Sequence, residues 1–173
     1  MAILKVRKYG DPVLRKRATV VREVTPEIRL MVKDMIDTMY DEIGIGLAAP
    51  QVGISLRLMV VGHEKNATAR ALVNPVIAEQ GGEITAEEGC LSLPGIFAPV
   101  TRAEWVRLDA QDLDGNPVSI NGRGLTARVF QHEMDHLDGV LFIDRLDAMT
   151  RDRIKRRIKK DGFPAESNKA LAL

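Results

Sequence analysis

Leu125-Thr126-Ala127-Arg128-Val129-Phe130-Gln131-His132-Glu133-Met134-Asp135-His136-Leu137-Asp138-Gly139 is the stretch from which the rest of the fold is read. Leu125, Val129, His132, Glu133 and His136 fall on one face at helical spacing, and Phe130, Met134 and Leu137 fall on the other side. A helix that is apolar on both sides is usually buried rather than laid on a surface. The spacing predicts a helix that starts near Leu125, stops at Gly139 and runs through the core. Its polar residues then sit in apolar surroundings, where they require partners.

Working outward, strand-like runs precede this helix at Leu56 to Val61, Ala71 to Ala78 and Glu104 to Ala110. Asp114-Gly115 is a strong hairpin turn and leads into Val118 to Ile120. Turns rather than helices separate these runs. That predicts an α+β fold, with small antiparallel sheets and segregated helices, rather than a doubly wound parallel sheet. An earlier helix begins at Thr25, a good cap, with Pro26 at the first helical position. Ile28, Met31, Val32, Met35, Ile36 and Met39 form its apolar stripe, and Gly44 and Gly46 end it. Residues 147–161 read as a basic helix with a narrow stripe of Ile154 and Ile158, and residues 162–173 as a frayed tail. No repeat, low-complexity stretch or linker interrupts residues 1–146.

The 173 residues fit one domain plus a tail, and 45% apolar with 28% charged residues excludes a disordered chain. No apolar run approaches the ~20 residues that span a bilayer, and the N-terminus has no signal-like apolar core. Cys90 is the single cysteine, so no intrachain disulfide is possible, and a cytoplasmic protein is expected. The net charge of +1 hides an asymmetry. Residues 151–160 hold seven basic groups and one acidic, while the rest of the chain has 18 basic and 23 acidic. General affinity for nucleic acid across the body is not expected, but this segment could seek an anionic partner.

His132 and His136, four apart on a helix, point the same way and can hold one metal ion. Glu133 beside them can serve as general base or acid towards water that the metal activates. A catalytic site commonly needs a third protein ligand. The metzincin pattern would put it at position 142, which is Phe142, and the only later glutamate is Glu166. His63 reads as a surface loop residue. Cys90 lies in Glu88-Gly89-Cys90-Leu91-Ser92. A lone cysteine is ordinarily a small buried apolar residue, but a glycine and a charge beside it are odd around an inert thiol. A thiolate with two imidazoles suits Zn²⁺, Fe²⁺, Co²⁺ or Ni²⁺. The loop Gly44-Ile45-Gly46-Leu47-Ala48-Ala49-Pro50-Gln51 lacks the ending of a phosphate loop. It could bring backbone groups and the Gln51 amide against a ligand.

Together, Gly44 to Gln51, Glu88 to Ser92 and Gln131 to Gly139 resemble, in order and spacing, the three signature motifs of the peptide deformylases. The likeness runs from about Ile3 to Leu146. It implies small antiparallel sheets around a central helix that bears the HExxH residues, with 1–146 as the catalytic domain. It implies removal of the formyl group from the N-terminal formyl-methionine of nascent polypeptides. It also implies a metal held by Cys90, His132 and His136, Fe²⁺ in the cell, with nickel, cobalt or zinc as replacements. Glu133 is then the proton carrier, and the Gln51 amide and the Leu91 backbone N–H stabilise the oxyanion. Ile45 and Gly46 lend backbone groups to the substrate, and Leu125 and Val129 line the methionine pocket. The resemblance further suggests contact with the ribosome through residues 151–160. One departure stands out: many bacterial members carry an arginine just after the cysteine motif. Here Gly95-Ile96-Phe97 follows, and the first basic residue is Arg102.

Overall fold

The computed structural model describes residues 2–62, 68–164 and 173. Three helices are present among them: α1 (Pro26–Asp41), α2 (Leu125–Leu137) and α3 (Ala148–Asp161). Seven strands run β1 (Gly46–Ala48), β2 (Leu58–Val61), β3 (Arg70–Gly81), β4 (Ile84–Cys90), β5 (Leu93–Arg102), β6 (Trp105–Gln111) and β7 (Pro117–Arg123). They form a five-stranded antiparallel sheet of order β1-β2-β3-β6-β7 and a separate β4-β5 hairpin. This is the expected α+β arrangement.

Helix α1 begins as its sequence dictates, with the Thr25 side chain accepting from the Ile28 N–H and Pro26 following. Val32, Met35 and Met39 bury its stripe against Leu47, Val60 and Leu91. Gly44 closes the helix by donating to the Met39 carbonyl at 2.9 Å, with Ile43 left-handed at φ 58°. The β6-β7 hairpin turns at Gly115, φ 84°.

Helix α2 is buried on nearly every side: ten of its thirteen residues are buried. Ala127, Val129, Phe130 and Leu137 pack into the cluster formed with the large sheet. The hairpin supplies a second cluster of Cys90, Leu93, Ile96, Ala98 and Val100 with Leu141 to Ile143. Ile154 and Ile158 of α3 pack against that cluster, as their stripe predicts.

The structure adds three strands that the sequence reading does not contain: β1, β4 and β5. Leu173, expected in a frayed tail, is instead 2% exposed and joins the cluster around α2. His63 and the rest of the tail, residues 165–172, lie outside the described residues.

Candidate active site

Two bodies meet at the site. α2 presents His132 and His136 one turn apart, and the end of β4 presents Cys90. The Cys90 Sγ lies 3.3 Å from His136 Nε2, which lies 3.3 Å from His132 Nε2. All three side chains are buried, and their donor atoms fall within 4.8 Å of one another. Two imidazole nitrogens at ~2.05 Å from a tetrahedral ion stand about 3.3 Å apart, so the set fits a divalent metal. The charge state fits as well. Burial pushes the bare Cys90 thiol up to about 12, against the pull of the Ser92 N–H. Burial, helped by His132, holds His136 well below the usual imidazole range and so neutral. A neutral imidazole is ready to ligate, and a bound cation would drive the thiol to thiolate.

Glu88 fixes His132. Burial raises its carboxyl, but hydrogen bonds from Arg102 and His132 outweigh it and bring the pKa to about 2. An ionised carboxylate only accepts, so the 2.9 Å contact to His132 Nδ1 places the proton there. That leaves Nε2 with its lone pair facing the site.

Glu88 is itself clamped. Arg102 reaches it at 2.5 and 2.9 Å, and Arg128 at 2.6 Å. Arg102 continues to Asp135 at 2.8 Å, and Arg145 closes on Asp135 at 2.6 and 3.1 Å. Arg128 also donates to the carbonyls of Ile84 and Val100, tying α2 to the hairpin. Sequence reasoning noted the Glu88 charge but missed these arginines. For Arg128 a signal existed: it stands four residues before His132, on the same helical face. Arg102 is 5% exposed and spent on this network, so it does not replace the arginine missing after the cysteine motif.

Glu133 is fully buried, and neither carboxylate oxygen has a hydrogen-bond partner among the described residues. Burial, reinforced by the Glu88 charge, holds its carboxyl well above the usual range. A Cβ on Gly46 would come 3.0 Å from the Glu133 Oε1 and from Val129. The glycine therefore lets β1 lie directly on this carboxyl. Gln51 is also fully buried. Its Oε1 accepts from the Ala48 N–H at 3.0 Å, and its Nε2 points at Ser92 Oγ, 3.1 Å, and Cys90 Sγ, 3.7 Å. The Leu91 carbonyl accepts from Lys8. Phe142, the residue at the metzincin ligand position, stacks beside His132 with ring centroids 6.3 Å apart. Along the first turns of α2 lies a 780 Å³ cavity lined by Ile45, Leu125, Val129 and Phe130, with Arg70 and Arg123 also at its wall.

The sequence model of the polypeptide deformylase family matches residues 3–152. The chain belongs to that family. Its metal-dependent reaction is hydrolysis of the formyl group from the N-terminal formyl-methionine of new polypeptides, with release of formate. A peptide deformylase of Acidobacterium capsulatum is 50% identical over 163 residues, covering 92% of this chain and 96% of that one. One from Thermodesulfovibrio yellowstonii is 44% identical over 162 residues, covering 92% and 98%. Among solved structures, the Legionella pneumophila peptide deformylase superposes with a TM-score of 0.85 at 44% identity, covering 92% and 95%. The Synechococcus elongatus peptide deformylase, in complex with actinonin, gives 0.86 at 40% identity, covering 95% and 91%.

Proposed function

We propose that Cys90, His132 and His136 hold Fe²⁺, replaceable by Ni²⁺, Co²⁺ or Zn²⁺, and that Glu133 carries the proton of the deformylation. The observation that carries this reading is the Glu133 carboxyl, wholly buried and without a hydrogen-bond partner among the described residues, its Oε1 3.9 Å from His132 Nε2 beside three converging donor atoms. Bound there, the metal supplies Lewis acidity, making water more acidic and polarising the formyl carbonyl.

Glu133 takes a proton from water as its oxygen adds to the formyl carbon. It returns that proton to the amine nitrogen as the carbon–nitrogen bond breaks, leaving formate and a free N-terminus. The oxygen that gains charge meets the Gln51 amide, released from Ser92, and the Leu91 backbone N–H. Losing one such donor typically costs about 3 kcal/mol of barrier. Gly46 and Ile45 offer backbone groups to the peptide, and Leu125 and Val129 receive the methionine side chain on the face of α2 that bears the ligands.

On this reading residues 1–146 form the catalytic unit, working in the cytoplasm, and the basic segment 151–160 meets ribosomal RNA as chains emerge. No helix among the described residues is long and apolar enough to cross a membrane. Ile154 and Ile158 dock α3, while Arg153, Arg156, Lys159 and Lys160 are exposed. Changing these four to glutamate should weaken ribosome binding at low salt and spare turnover of a short formyl-peptide. Equal ribosome binding by both forms would refute the contact.

The chemistry is tested by formate release from formyl-Met-Ala-Ser, with an unformylated peptide as control and actinonin as competitor. Cleavage of the unformylated peptide at a similar rate would instead identify an endopeptidase. Metal analysis of anaerobically purified protein reads the native ion.

A further inference from the structure

Leu173 returns the described chain to the active site. Its side chain joins the apolar cluster that contains Val129, and Ile45 and Leu125 pack against that cluster. Its backbone N–H donates to the Gly89 carbonyl at 3.1 Å. Gly89 immediately precedes Cys90 on β4. Among the described residues β4 pairs only with β5; Arg128 covers the Ile84 carbonyl at one end of its other edge, and the Gly89 carbonyl at the opposite end is placed to accept from an extended chain. Leu173 thus bridges the two bodies that form the site: its side chain lies with α2 and the large sheet, and its N–H lies on the hairpin. Upstream, Pro164 packs over Gly95, where a Cβ would meet its carbonyl oxygen at 2.8 Å, so the chain leaves α3 along the same hairpin.

A formyl-methionyl peptide brings the same two features, a backbone N–H for a strand edge and an apolar side chain for the pocket. Leucine and methionine are close in volume and exchange in apolar sites at little cost, usually under ~1.5 kcal/mol. We propose that Leu173 is an intramolecular competitor: it occupies the methionine subsite and must leave before a nascent chain enters. This rests on the assignment of the pocket beside Val129 to methionine. A competitor of this kind lowers the fraction of open sites. It raises the apparent KM, and the apparent Kd for any peptide in the pocket, by the reciprocal of that fraction, while kcat is unchanged.

Leu173→Asp and the milder Leu173→Gly, both in the full chain and loaded with nickel, provide the test. Both should lower KM for formyl-Met-Ala-Ser at least ~3-fold at constant kcat. Both should bind the product peptide Met-Ala-Ser tighter by a similar factor in calorimetry. In the unmutated chain, Met-Ala-Ser should accelerate hydrogen exchange at the Leu173 amide, observed by NMR. Equal KM and equal Met-Ala-Ser affinity in all three forms would overturn the proposal. If no form releases formate yet Met-Ala-Ser still speeds exchange at Leu173, the docking stands and the deformylation reading fails.

Discussion

Glu133 and Cys90 sit within the same few ångströms but have different duties, and substitution separates them. Glu133 is not among the converging donors, so Glu133→Ala should retain a full equivalent of metal and lose at least ~100-fold in kcat, the usual scale for a missing proton carrier. Cys90→Ala removes a donor and should lose metal as well as turnover, read by metal analysis after gel filtration. Retention of metal by Cys90→Ala with loss from Glu133→Ala would mean that the donor set is wrong. A second residue carries a backbone penalty. Ile43, 78% exposed, is a β-branched residue in the left-handed conformation at the end of α1. Glycine adopts that conformation freely, whereas an L-residue gives up about 1 kcal/mol. Ile43→Gly should therefore stabilise the protein by roughly that amount, raising Tm by about 3 °C. A fall in Tm would show that the exposed side chain makes a stabilising contact.

At the scale of elements, α1, α2 and α3 were legible because each carries a periodic stripe and two carry a plain cap. β2, β3, β6 and β7 were legible as apolar runs between turns, with ends off by a few residues. β4 and β5 were not. β4 is exposed from Ile84 to Glu87 and buried only from Glu88 onward, so it shows no alternation. β5 contains Pro94 and Pro99, which argue against a strand yet are tolerated in a two-stranded ribbon. β1, at three residues, is too short to show a period. Of the site, His132, His136 and Glu133 could be read from short spacings in the chain, whereas Cys90 as the third donor followed from the family resemblance. The clamp on Glu88 could not be read as a unit, because Arg102 and Arg128 reach that carboxylate across 14 and 40 residues, although Arg128 shares a helical face with His132. The short helical turn after α2 offers a test against pH. Burial raises the Asp144 carboxyl, but hydrogen bonds from Arg15 and the Leu141 N–H outweigh it and hold it below the usual carboxylate range. A depressed carboxylate stabilises the fold above its unfolded pKa, and that contribution is lost as pH falls through the folded value. Asp144→Asn should cost about 1 kcal/mol at pH 7, a modest figure because Arg15 is 40% exposed. The difference from the parent should shrink below about pH 4. Urea melts at pH 7 and pH 3 read it, and a constant difference would contradict the assignment.

For the whole molecule, oxygen distinguishes one metal from another. An iron form combines a redox-active ion with the only thiolate in the chain. It should be active but lose activity in air within minutes to hours, with metal loss and added oxygen on the Cys90 peptide by mass spectrometry. A nickel form of similar activity should persist. Equal lifetimes with Cys90 unmodified in both would refute the site's composition; the seven methionines are mapped separately. The division of the donors between hairpin and helix also has a kinetic side. Cys90 and His136 are 46 residues apart, and the β4-β5 ribbon shares no strand with the large sheet. Neither half alone offers a complete binding set, so tight ion capture must wait until the two have docked. Trp105, the sole tryptophan, lies on β6 in the large sheet and reports on that half. In stopped-flow refolding its fluorescence change should precede, or at the earliest coincide with, cobalt–thiolate absorbance, so that uptake of the ion marks the end of folding rather than its nucleus.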